Sequence, residues 1–76
     1  MEILTELIKK ARAEKIHYQN NEGVRVVLWE KNNQILDICL FMKKDRWSVK
    51  QIISYLEKIW DLDNCYNITV EAHFAN

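Results

Sequence analysis

Residues 24–29 and 35–42, Val-Arg-Val-Val-Leu-Trp and Ile-Leu-Asp-Ile-Cys-Leu-Phe-Met, read as two β-strands that are apolar on both faces. Side chains alternate across a strand. Val24, Val26 and Leu28 therefore share one face, and Val27 and Trp29 share the other with Arg25. In the second segment Leu36, Ile38, Leu40 and Met42 fall on one face; Ile35, Cys39 and Phe41 fall opposite, with Asp37. A chain of 76 residues has too little helix to cover both faces of such a sheet. An apolar face left over in this way is expected to meet a second copy, a partner or a ligand.

The rest of the chain supplies helix for one face. Ile3, Leu4, Leu7, Ile8 and Ala11 recur at helical spacing. Glu2 and Glu6 stand early and Lys9, Lys10 and Arg12 late, as a helix dipole favours, so a helix is expected over 2–14. Ile16 to Gln19 read as a short strand and Asn20-Asn21-Glu22-Gly23 as a turn, because Asn and Gly tolerate positive φ. Lys31-Asn32-Asn33-Gln34 forms a second turn, which makes the three strands an antiparallel meander.

Ser48 can cap a second helix, with Gln51 completing a capping box and Trp47 packing on Ile52 as a hydrophobic staple. Val49, Ile52, Ile53, Leu56, Ile59 and Trp60 give that helix a broad apolar face. Tyr66, Ile68, Val70, Ala72 and Phe74 then alternate with polar residues in a last, half-buried strand. The expected fold is one α+β domain over 1–76, in the order α-β-β-β-α-β. Its sheet is mostly antiparallel and four-stranded, with two helices on one face, against the even-numbered residues of both central strands. The opposite face then shows Val27, Trp29, Cys39 and Phe41.

A domain of this size has a marginal core and usually gains support from a disulfide, a metal or oligomerisation. Cys39 and Cys65 form no Cys-x-x-Cys pair and no disulfide framework, so both read as reduced thiols in a cytoplasmic protein. The acidic amino terminus excludes a signal peptide. No run approaches the roughly 18 apolar residues of a membrane span. Oligomerisation is the expected support. Burial of roughly 400 Å² of apolar face corresponds to about 10 kcal/mol of transfer free energy. The entropy of association, an estimated 4–15 kcal/mol, opposes it.

The chain has no net charge, yet 42–58 carries Lys43, Lys44, Arg46, Lys50 and Lys58 against Asp45 and Glu57, a local excess of +3. Lys43, Lys44, Arg46 and Lys50 lead into a helix N-terminus, where free N–H groups attract phosphate, so they are the candidate contact for nucleic acid. A polar set at odd-numbered strand positions (His17, Arg25, Asp37, Cys39, Glu71 and His73) has the residue types of an acid–base or Cys–His site but no zinc spacing. Asp61-Leu62-Asp63-Asn64 lacks the remaining ligands and the glycine of a calcium loop.

The α-β-β-β-α order is similar to that of double-stranded RNA-binding domains and of small RNase toxins. Neither the glycines and Lys-Lys-x-x-Lys run of the first nor the Gly-Ser-His strand motif of the second is present, and topology alone transfers no function. No catalytic residue, cofactor or metal is expected. The expected function is a small non-enzymatic interaction protein, a regulator or inhibitor of the phage or mobile-element type. It would form a homodimer and act on an unidentified protein, with Val27, Trp29, Cys39 and Phe41 at the interface. A nucleic-acid-binding module using the basic segment is the alternative.

Overall fold

A computed structural model describes residues 2–13 and 21–74. Helix α1 spans Glu2–Ala13, strand β1 Asn21–Trp29, strand β2 Ile35–Met42, helix α2 Val49–Ile59 and strand β3 Asn67–Phe74. Single 3-10 turns at Lys43–Asp45 and Leu62–Asn64 flank α2. The sheet has three strands in the order β2-β1-β3, both pairings antiparallel.

This corrects the expected four-stranded sheet. The last strand occupies the free edge of β1, where the meander would have placed residues 16–19. Those residues lie outside the described ones, and the described order is α-β-β-α-β. The expected turn at 20–23 is also corrected. Its last three residues belong to β1, and Gly23 is extended, opposite Met42 on one side and His73 on the other. Glycine is needed there for close approach, since a Cβ would stand 2.3 Å from the Phe41 carbonyl oxygen. The turn at 31–34 does form: Asn33 takes φ 63° and its N–H donates to the Glu30 carbonyl.

The start of α2 follows the sequence signal. Ser48 Oγ accepts from the Gln51 N–H at 3.1 Å, and the Ser48 N–H donates to Gln51 Oε1 at 2.9 Å, which satisfies two donors at the helix entrance. Trp47 meets a partly different set of neighbours from the staple expected. It stands edge-on to Phe41 at 5.0 Å and to Tyr55 at 5.6 Å between ring centroids, on the rim of the core that holds Ile52.

Leu4, Ile8 and Ala11 of α1 and Ile52 and Leu56 of α2 share one core with Val24, Val26 and Leu28 of β1. Leu62, in the second 3-10 turn, closes that core where α2 ends. Directly opposed residues of an antiparallel pair lie on the same face. The register Val24 to Phe41, Val26 to Cys39 and Leu28 to Asp37 therefore puts the odd-numbered residues of β2 beneath the helices. That inverts the expected parity of this strand. Phe41 is 4% exposed and in the core, and Cys39 packs against it, whereas Ile38 and Leu40 are 49% and 46% exposed. The register shifts at Leu28/Trp29, which brings Trp29 opposite Ile35 and moves Leu36 against the core.

Candidate interaction face and basic pocket

The outer face of the sheet carries no helix among the described residues. Down its centre run Arg25, Val27 and Trp29 of β1, flanked by Leu40, Ile38 and Ile35 of β2 and by Glu71, Thr69 and Asn67 of β3. Its apolar half lies along β1 and β2, with Ile35 51% exposed beside Ile38 and Leu40. Val27, although on this face, is only 4% exposed because it lies in the central strand between Ile38 and Thr69. Trp29 donates from Nε1 to Thr69 Oγ1 at 2.9 Å, so the indole reaches over the sheet to the cross-strand partner of Val27. At the far end Arg25 pairs with Glu71, donating from Nε at 3.0 Å and from a terminal guanidinium nitrogen to the same carboxylate oxygen. Both side chains are about half exposed, so this pair adds at most about 1 kcal/mol. Its effect is to leave the face electrically neutral.

The four residues first read as an interface are thus divided between two faces. Val27 and Trp29 stand on the open one; Cys39 and Phe41 lie under the helices. Ile35, Ile38 and Leu40 take their place beside Trp29. Their signal was absent from the sequence, because β2 is apolar in both registers.

The polar set is divided in the same way. Arg25, Glu71 and His73 belong to the open face, Asp37 and Cys39 to the helix face, and His17 lies outside the described residues. Asp37 accepts from Trp60 Nε1 at 2.8 Å, from the Ile38 N–H at 2.8 Å and from Cys39 Sγ at 3.6 Å. The Trp60 hydrogen bond holds the Asp37 carboxyl below its ordinary value against the opposing effect of burial, and the Ile38 and Cys39 donors add to it. Burial, with the Asp37 charge and its hydrogen bond beside it, pushes the Cys39 thiol up to about 11. A thiol kept protonated at neutral pH is a poor nucleophile. The cluster thus ties the end of α2 to the start of β2.

A depressed carboxylate pKa makes the Asp37 contribution pH-dependent with a definite sign. The stabilisation is complete above the unfolded value of 3.8 and fades as pH falls through the lower folded value. Asp37→Asn should lower the melting temperature at pH 7. Thermal melts between pH 7 and pH 2 should show the gap between wild type and variant closing on the acid side. A gap independent of pH would remove the charge from the explanation.

The basic segment wraps the opposite end of the helix layer. Lys43 and Arg46 line a cavity of about 240 Å³ together with Arg12 of α1, over a floor of Gly23, Val24, Phe41 and Trp47. A terminal guanidinium nitrogen of Arg12 donates to the Trp47 carbonyl and so joins the end of α1 to the entrance of α2. Arg46 takes φ 57° where its N–H closes the 3-10 turn on the Lys43 carbonyl. Lys50 lies on the other side of Trp47, in a shallow depression with Asp45, and Lys44 lines neither. The four residues are not one strip. Arg12, which sequence reasoning missed, is the third cation of the pocket.

Among the described residues no group of three or more His, Cys, Asp and Glu side chains is placed to hold a metal ion. The Asp61–Asn64 segment instead forms the second 3-10 turn around buried Leu62, with Asn64 Nδ2 donating to Asp61 Oδ2 at 2.5 Å. No described helix is long and apolar enough to cross a membrane. No family model, curated protein or solved structure matches the chain.

Proposed function

We propose that this protein is a small non-enzymatic interaction module that self-associates through the open face of its sheet. The observation that carries the reading is the row Ile35, Ile38 and Leu40, each about half exposed beside Trp29 on a face without a helix. The occupant is taken to be a second copy for two reasons. Self-pairing of this face meets no net repulsion, since Arg25 and Glu71 neutralise each other and the chain as a whole carries no net charge. Its size also fits. Three strands about 4.8 Å apart and eight residues long, at about 3.4 Å each, give a flat footprint near 400 Å² per copy. Two such footprints bury about 800 Å² in total, below the roughly 1,200 Å² of standard specific interfaces and within the range of weak, reversible contacts. A reversible, concentration-dependent dimer follows, with two sheets packed face to face about 10 Å apart and helices on the outside. Edge-to-edge pairing through β2 is disfavoured because Asp37 already accepts from the Ile38 N–H, which blunts that edge. A dimer of this kind would leave its helix layers free for the partner that a regulatory role requires.

Light scattering on a size-exclusion column, wild type beside the double variant Ile38→Glu/Leu40→Glu, tests this. The wild type should pass from monomer to dimer mass with rising concentration, and the variant should remain a monomer with an unchanged circular dichroism spectrum. Both residues are about half exposed, so charge is tolerated in the monomer. A wild type that stays monomeric at millimolar concentration would end the self-association reading.

A further inference from the structure

We infer that the cavity between the end of α1 and the entrance of α2 binds a phosphate dianion, free or as the terminal monoester of a larger ligand. This inference is independent of the sheet face. Arg12, Lys43 and Arg46 come from two segments more than thirty residues apart in sequence, yet they line one space of about 240 Å³. Among the described residues none of the three makes an ion pair, and the nearby Asp45 lies in the neighbouring depression. Three like charges around a small cavity repel one another, and a dianion removes that repulsion. The donor types fit phosphate: the planar Arg46 guanidinium can bind two oxygens at once, Arg12 has donors beyond the one given to the Trp47 carbonyl, and Lys43 acts as a point charge.

The space also limits what enters. Sites for whole small molecules run to about 300–1,000 Å³, so this one takes a phosphate group and leaves the remainder of its ligand outside. Gly23 forms part of the floor without a side chain, and Val24, Phe41 and Trp47 supply an apolar lining. Trp47 lines both this cavity and the Lys50 depression, where a planar group attached to the phosphate can rest.

The full chain, isotope-labelled, would be titrated by NMR at constant ionic strength with four probes. These are inorganic phosphate, a nucleoside monophosphate, and a short oligonucleotide with either a phosphate or a hydroxyl at its 5′ end. Saturable shifts at Gly23, Lys43, Arg46 and the Trp47 indole are expected with the three probes that carry a terminal phosphate dianion. Saturation by inorganic phosphate alone would mark a free-phosphate site. Tighter binding of the other two would mark a nucleotide end. Arg46→Asn keeps a residue that tolerates positive φ and should weaken binding at least about tenfold. Lys44→Gln and Lys50→Gln should leave it unchanged. Arg12→Lys, which retains a donor toward the Trp47 carbonyl, should weaken it as well. Equal binding of the hydroxyl-ended oligonucleotide, equal losses at Lys44 and Lys50, or shifts that never saturate would each overturn the site.

Discussion

Replacing Gly23 with alanine is expected to destabilise the domain by about 1–3 kcal/mol, the usual range for overpacking, and to lower the melting temperature by roughly 5–20 °C at this chain length. Two effects compete. A glycine to alanine change at a position with ordinary φ normally stabilises by about 0.4–1 kcal/mol, because it restricts the unfolded chain. Here the added methyl would stand 2.3 Å from the Phe41 carbonyl oxygen and 3.1 Å from the Met42 Cα, both backbone atoms held in the β1–β2 ladder. Neither can swing aside as a flexible side chain would. Steric repulsion against fixed backbone is therefore the larger effect. Thermal or urea unfolding of the variant decides the matter. A melting temperature equal to or above that of wild type would mean that the ladder opens at this end with little penalty.

The second large effect separates two adjacent residues. Phe41→Ala should cost about 3–5 kcal/mol, because it removes a buried aromatic from the core and leaves a cavity. It also removes the ring that Trp47 and Tyr55 meet edge-on. At roughly 0.05–0.15 kcal/mol per residue, a domain of this size has about 4–11 kcal/mol in total, so the variant should lose between about a quarter and all of its stability. Leu40→Ala, one residue away and 46% exposed, should leave the unfolding free energy of the monomer within about 0.5 kcal/mol of wild type. Its effect should appear instead in the concentration at which dimers form. Equal losses of monomer stability at both positions, measured by urea unfolding at low protein concentration, would contradict the assigned parity of β2.

That parity shows where the sequence is informative and where it is silent. Strand β3 alternates apolar and polar residues, and its bounds follow from the pattern; so does α2, whose Ser48–Gln51 box is a local signal and forms as such. Strand β2 has apolar residues in both registers and one polar residue, Asp37, whose alternation with its neighbours suggests an outward position. It lies instead on the helix face, since the indole of Trp60, the residue after α2, meets it there. Only tertiary packing supplies that partner. Gly23 shows a different ambiguity. Asn20-Asn21-Glu22-Gly23 has the composition of a turn, but the glycine serves a close approach of extended strands. The basic pocket was half legible: Lys43 and Arg46 stand in an evident basic run, while Arg12 joins them only because α1 ends against the Trp47 carbonyl. The sheet edge that was expected to hold 16–19 is taken by β3, a long-range pairing that no short pattern records.

The central claim is that the open face of the sheet is covered by a second copy. Isotope-filtered NOE spectroscopy on a mixed sample, half labelled and half unlabelled, reads that contact directly. The account predicts intermolecular NOEs among the side chains of Ile35, Ile38, Leu40 and Trp29, with none from Leu4, Ile8, Ile52 or Leu56. Intermolecular NOEs confined to the outer faces of α1 and α2, or to the backbone along the β2 edge, would contradict it.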